Sequence, residues 1–150
     1  VALDQAAKWA VVEHLMRPPR VIPLTPFFNL VLTHNTGISF GLFQGGSANA
    51  WVLTGFALAV VGGLMVWLWR QPEPLIAWAI GLVIGGALGN VVDRVRLGAV
   101  VDFLDLHIGD WHWPAFNFAD TAITVGVGLL LLDGLFETSR RGKKGPDNLG

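Results

Sequence analysis

Ionisable and amide side chains gather in four short blocks of this sequence: Asp4-Gln5-x-x-Lys8, Asn35-Thr36-Gly37, Asn90-x-x-Asp93-Arg94, and Asp102 with Asn117-x-x-Asp120. Each block lies inside or beside an apolar run, where an ionisable group is costly and has a reason to be there. Two carboxylates converging on one point can work as an acid–base pair. At about 3 Å they cannot both ionise, so one proton is shared and titration belongs to the pair. The ionised member can take a proton from water that attacks a peptide carbonyl, and the protonated member can donate to the oxygen and the leaving nitrogen. No metal, cofactor or covalent intermediate is required. Asp102 and Asp120 are candidates for such a pair. Spacing alone leaves other readings open: Asn117-x-x-Asp120 also fits a helix N-cap, and Asp102 after Ala99-Val100-Val101 also fits a turn acid.

Other chemistries compete for the same residues. Ser39 with Lys8 as base would make a Ser–Lys hydrolase. His107 and His112 with Asp102 or Asp110 could be metal ligands, though their spacing matches no strong signature. A non-enzymatic alternative is a small transporter or channel subunit whose buried Asn and Asp residues line a polar path. The chain has no cysteine, which excludes a thiol nucleophile, thiolate ligation and disulfides.

The elements that must position these groups are membrane helices. Of 150 residues, 53% are hydrophobic and 14% charged, against about 25% charged in soluble proteins. Trp51 to Trp69 is uncharged and long enough to cross a bilayer core, with tryptophans at both ends fitting interfacial belts. Arg70 to Pro74 is a polar, proline-containing connector. A second span covers 75–92, where Gly81, Gly85 and Gly89 recur at a four-residue spacing that suits close helix packing. A third covers 119–136. Residues 1–16 read as a further span truncated at its N-terminus, because the chain opens on Val1-Ala2-Leu3-Asp4 within an apolar helix. Four prolines between Pro18 and Pro26 oppose helix, and Phe27 to Thr33 reads as a strand, as does Ala99-Val100-Val101. Arg140, Arg141, Lys143 and Lys144 in the tail, 138–150, place that tail in the cytoplasm. Segments 17–50 and 94–114 then face outward, and Asp102 and Asp120 meet at one membrane face. Net charge is −1, so nothing points to nucleic acid.

Asp4-Gln5-x-x-Lys8, Asn35-x-Gly37-x-x-Phe40, Gly85-Gly86-Ala87-Leu88-Gly89-Asn90-x-x-Asp93-Arg94, Val100-Val101-Asp102-Phe103 and Phe116-Asn117-x-Ala119-Asp120 occur in that order. Together they resemble the lipoprotein signal peptidases, also called signal peptidase II. The resemblance implies an all-α membrane protein over residues 1–150, a four-transmembrane-helix bundle with a small extracytoplasmic β-rich cradle. It also implies a bacterial inner-membrane location with both termini cytoplasmic. The implied activity is an aspartyl endopeptidase that cleaves diacylglyceryl-modified prolipoproteins before the lipidated cysteine. On this resemblance the catalytic residues are Asp102 and Asp120. Asp4, Lys8, Asn35, Gly37, Asn90, Asp93, Arg94 and Asn117 are expected to bind substrate or support the site, with Asp93-Arg94 as an ion pair or substrate-carbonyl contact. The expected partners are the lipid-modified prolipoprotein and membrane lipid, with no nucleic acid, cofactor or metal, and a monomer is expected.

Overall fold

The computed structural model describes residues 1–37, 46–70 and 73–142. Ser39, Phe40, Lys143 and Lys144 lie outside these residues. Helix α1 (Ala2–Ala10) continues into a π-helical turn over Val11–Leu15, and the prolines that follow end the helical run. Strands β1 (Ile22–Thr25) and β2 (Phe28–Asn35) come next, then helices α2 (Gly46–Arg70) and α3 (Pro74–Leu97). Strands β3 (Val100–Ile108) and β4 (Trp111–His112) lead into helix α4 (Phe118–Gly142). Among the described residues three helices are long and apolar enough to cross a membrane, within Asn49–Arg70, Pro74–Leu97 and Phe118–Phe136.

Helix α3 has proline at its first position and stops at Gly98, whose φ of 71° is left-handed. The Gly98 N–H bonds to the Arg94 carbonyl at 3.0 Å, a C-terminal arrangement that a side chain would strain. Its buried positions Ala79, Val83, Gly86, Asn90 and Asp93 follow alternating steps of four and three, the period of a helix–helix seam. This seam faces α4, and of the run Gly81, Gly85, Gly89 it is Gly89 that would bring a Cβ against it, 3.2 Å from the Ala119 Cβ. A Cβ on Gly86 would run into the Ala119 carbonyl oxygen and Ile123 Cγ1, and one on Gly126 would lie 2.6 Å from the Ala79 oxygen. Gly81 and Gly85 have nothing within 4 Å of that position. A strict four-residue step drifts around the helix, so residues at that spacing do not stay on one contact line.

The four strands form one antiparallel sheet in sequence order. Strand β3 is longer than Ala99-Val100-Val101 suggested, because its acids are satisfied by asparagines of β2. Asn29 sits opposite Asp105, while Asn35, opposite Val100, is the diagonal neighbour of Asp102, which faces Thr33. The segment before α4 is tied to β3 at Phe116, whose N–H donates to the Leu104 carbonyl at 3.0 Å and whose oxygen accepts from Phe103 and Leu104. Below the sheet Val11, Met16, Phe103 and Leu104 form a buried apolar cluster, flanked by Phe28, Leu30 and Leu32. The sheet, the end of α1 and the Leu97 end of α3 are thereby fixed to one another, with the start of α4 between them.

Candidate active site

Helix α4 begins with a reciprocal cap. Asn117 Oδ1 accepts from the Asp120 N–H at 2.9 Å, and the Asn117 N–H donates to Asp120 Oδ2 at 3.2 Å. This capping box satisfies backbone donors that a helix N-terminus otherwise leaves open. The capping reading of Asp120 is therefore correct as far as it goes. It does not exhaust the residue, because Asp120 Oδ1 also accepts from Asn90 Nδ2 at 2.7 Å.

Asp102, 2% exposed, is reached from both sides. Asn117 Nδ2 donates to its Oδ1 at 2.7 Å and Asn35 Nδ2 to its Oδ2 at 3.1 Å. Gly37 fixes the Asn35 amide by donating its N–H to Asn35 Oδ1 at 3.0 Å, which leaves the amide nitrogen for Asp102. Burial and, after it, the negative charge of Asp120 push the Asp102 carboxyl up to about 6, against the Asn35 and Asn117 hydrogen bonds and the charge of Lys8. Asn117 thus touches both aspartates, one through its amide nitrogen and the other through its backbone.

Beneath the two acids lies a second polar layer. Lys8 bridges Asp4 Oδ2 at 2.9 Å and Asp93 Oδ2 at 2.7 Å, all three side chains about 5% exposed or less, and donates to Asn90 Oδ1 at 3.2 Å. Asp4 Oδ1 accepts the Ala119 N–H at 3.0 Å, which gives α4 a cap from α1. Gly89 leaves room for it, since a Cβ there would lie 2.9 Å from Asp4 Oδ2. The expected Asp93–Arg94 ion pair is replaced: Asp93 is held by Lys8, by Gln5 Nε2 at 2.7 Å and by the Val101 N–H at 3.1 Å. Adjacent helix positions diverge by about 100°, so one faces the seam and the other leaves it. Arg94, half-buried, instead faces the field of Asp120, Asp102 and Asp93.

All ten residues expected at the site are therefore connected or close to it. Gln5, named within Asp4-Gln5-x-x-Lys8 but given no role there, adds a contact to Asp93. The two histidines form a separate feature. His112 Nδ1 bonds Asp105 at 2.9 Å and stacks on His107 with ring centroids 5.0 Å apart; neither Asp102 nor Asp110 is involved. Among the described residues no group of three or more His, Asp or Glu is arranged to hold a metal ion. A cavity of about 470 Å³ lined by Leu106, Trp113, Phe116, Ile123 and Val125 opens onto Asp120. An apolar groove ending at the amide-held carboxyl of Asp120, itself linked to Asp102 through Asn117, suits hydrolysis of a peptide bond in an apolar chain.

A family model described as signal peptidase (SPase) II matches residues 1–136 of the chain. A lipoprotein signal peptidase of Beijerinckia indica is 43% identical over 152 aligned residues, spanning 100% of this chain and 90% of that protein. One of Cupriavidus taiwanensis is 52% identical, with 90% of this chain and 77% of the relative covered. A solved structure described as a bacterial membrane enzyme superposes with a TM-score of 0.78 at 31% identity, covering 97% of this chain and 87% of that one.

Proposed function

The chain belongs to the signal peptidase II family, and from that membership we infer that it is a multi-pass membrane aspartic peptidase that removes signal peptides from prolipoproteins. Asp102 and Asp120 are the reacting pair. The observation that carries this assignment is Asn117, whose side chain holds Asp102 and whose N–H holds Asp120.

One carboxylate takes a proton from water as the oxygen adds to the peptide carbonyl, while the other gives its proton to the carbonyl oxygen. The resulting gem-diol collapses: a hydroxyl proton returns to the second acid and the first delivers its proton to the leaving nitrogen. Asp120, on the first turn of α4, is suited to hold the negative charge. Asp102, raised to about 6 by burial and by its neighbour's charge, is suited to keep the proton. Arg94 lies near both and serves as a contact for the substrate carbonyl. The apolar groove at Asp120 takes the substrate flank, the prolipoprotein carrying a diacylglyceryl cysteine and being cut before it.

The finer topology follows the same reading. Helix α1 is the first of four spans, docked to α3 and α4 through Lys8 and Asp4. Both termini lie in the cytoplasm of a bacterial inner membrane, the sheet lies outside, and a single copy in contact with lipid is the working unit. The transporter alternative is not favoured: the polar groups gather at one end of the bundle and the relatives bear a peptidase name.

The test is cleavage of a diacylglyceryl-modified prolipoprotein in detergent by Asp102→Asn and Asp120→Asn. Each is expected to lose at least a hundredfold in kcat, the scale of general acid–base catalysis. Full activity in either sinks the pair.

A further inference from the structure

Lys8 is 3% exposed, and two carboxylates, Asp4 and Asp93, already neutralise it. Its third contact, to Asn90 Oδ1 at 3.2 Å, is not needed for that purpose. An ammonium group carries donors only, so the Asn90 atom facing it must be the oxygen. The Asn90 nitrogen is thereby turned toward Asp120 Oδ1, 2.7 Å away. A flipped amide would set –NH2 against the ammonium and a carbonyl oxygen against a carboxylate, and both contacts would be lost. Asn117 Nδ2, 3.2 Å from the same Asn90 oxygen, enforces the same choice from the α4 side.

We propose that Lys8 is a positioning residue for the hydrolysis: it locks the Asn90 amide toward Asp120, and its buried charge sets the pH window in which the aspartate pair is singly ionised. The inference rests on the reading of Asp102 and Asp120 as the reacting acids. The charges that face the pair are Lys8 and Asp4 from α1 and Arg94 from α3, with Asp93 facing Arg94 and Lys8 behind them. Lys8 itself is faced by Asp4 and Asp93, with Asn90 as its neutral contact. Its charge opposes the upward push of burial on Asp102. Loss of that charge therefore raises both limbs of the pH–rate bell, since ionising either acid becomes harder.

The experiment is prolipoprotein cleavage by the full chain in detergent, over a pH series, for Lys8→Met and Lys8→Arg. Lys8→Met is expected to move the bell upward by about one pH unit, the scale of one lost opposite charge nearby, and to lower kcat with KM little changed. Lys8→Arg is expected to hold the bell in place but lower kcat, because a planar fork does not fit where a compact ammonium sat. A residue that merely stabilises the bundle would change the yield of folded protein and leave the profile where it was. If Lys8→Met alone does not fold, Lys8→Met/Asp93→Asn removes one buried charge of each sign; it is expected to fold and to show reduced kcat at unchanged KM, because the Asn90 oxygen is then held by Asn117 alone. An unmoved bell in Lys8→Met, or wild-type kcat in the folded double variant, overturns the proposal. Asp102→Asn and Asp120→Asn run in parallel separate the two readings. Their inactivity beside an unmoved Lys8→Met profile removes the role of Lys8 alone, whereas their activity removes the pair.

Discussion

Asn117 and Asp120 exchange hydrogen bonds across the first turn of α4, each donating its backbone N–H to the other's side chain, at 3.2 and 2.9 Å. The exchange explains how a residue can begin a helix and also be free to enter the proposed reacting pair. The cap uses one carboxylate oxygen and leaves the other for Asn90. It also fixes the side-chain angle of Asp120 before any substrate arrives, which is the preorganisation that hydrolysis by positioned groups requires.

Asn117 can be split into its two roles. Asn117→Ala should cost about 1 kcal/mol of helix capping and at least a hundredfold in kcat. Asn117→Ser restores a capping oxygen without the amide nitrogen that holds Asp102. It should recover most of the stability and little of the rate, measured by thermal unfolding and prolipoprotein cleavage.

Asp102→Asn should inactivate and stabilise together. A folded-state value of about 6 against an ordinary 3.8 means that ionising Asp102 opposes folding, so this stability is present at low pH and is lost as pH climbs from near 4 through 6. Neutralising the side chain removes the opposition above that window. The gain is discounted to about 1 kcal/mol because Asn35 then meets an amide. A higher Tm at pH 7 with no difference near pH 4 is the expected result; a lower Tm at pH 7 contradicts it.

Asn35→Leu removes a donor that favours ionised Asp102. The alkaline limb of the bell, which reports loss of the shared proton, should move to higher pH. Hydrogen-bond donors to a carboxylate act in only one direction, so a shift to lower pH would refute the assignment.

Gly86→Val should separate α3 from α4, since a side chain there meets the Ala119 carbonyl and Ile123. Overpacking of this kind costs about 1–3 kcal/mol, and activity should fall because Ala119 adjoins Asp120. Gly85→Ala, whose side chain enters open space, should match wild type in both assays.

His112→Ala tests the hairpin. Asp105 is held below the usual carboxylate range: burial pushes it up, but the hydrogen bonds from His112 and Asn29 outweigh that. The stability it contributes is therefore present above pH 4 and is lost as pH falls through its lowered value. The variant should unfold at a lower temperature at pH 7 and retain its kcat, since neither histidine touches Asp102 or Asp120.

Local pattern made part of this molecule readable. The uncharged run from Trp51 to Trp69 and the alternating segment ending at Thr33 carry their own period, and α2 and β2 occupy them. The ordered polar blocks likewise identify which residues assemble. What their order does not contain is partnership. Asp93 beside Arg94 reads as an ion pair, yet its cation is Lys8 on another helix, because the seam position and not the sequence neighbour sets what a buried side chain meets. The Gln5–Asp93 and Asp105–His112 contacts were illegible for the same reason. The regular spacing of Gly81, Gly85 and Gly89 was easy to see, whereas the close approach at Gly86 depends on where α4 crosses. Strand β3 was read short because Asp102 and Asp105 interrupt its apolar run, and only the facing asparagines of β2 make those acids acceptable there.

The hydrogen bond from Ala119 to Asp4 joins positions 115 apart in sequence. During synthesis the helix that carries Asp4 and Lys8 is made before the one that carries Asp120. Until α4 docks, the growing chain holds Asp102 without the second acid proposed beside it and Asp4 without the backbone N–H it caps. On the proposed pairing, hydrolytic capacity consequently arrives only when α4 docks, so a product stalled short of that helix is inert toward its neighbours.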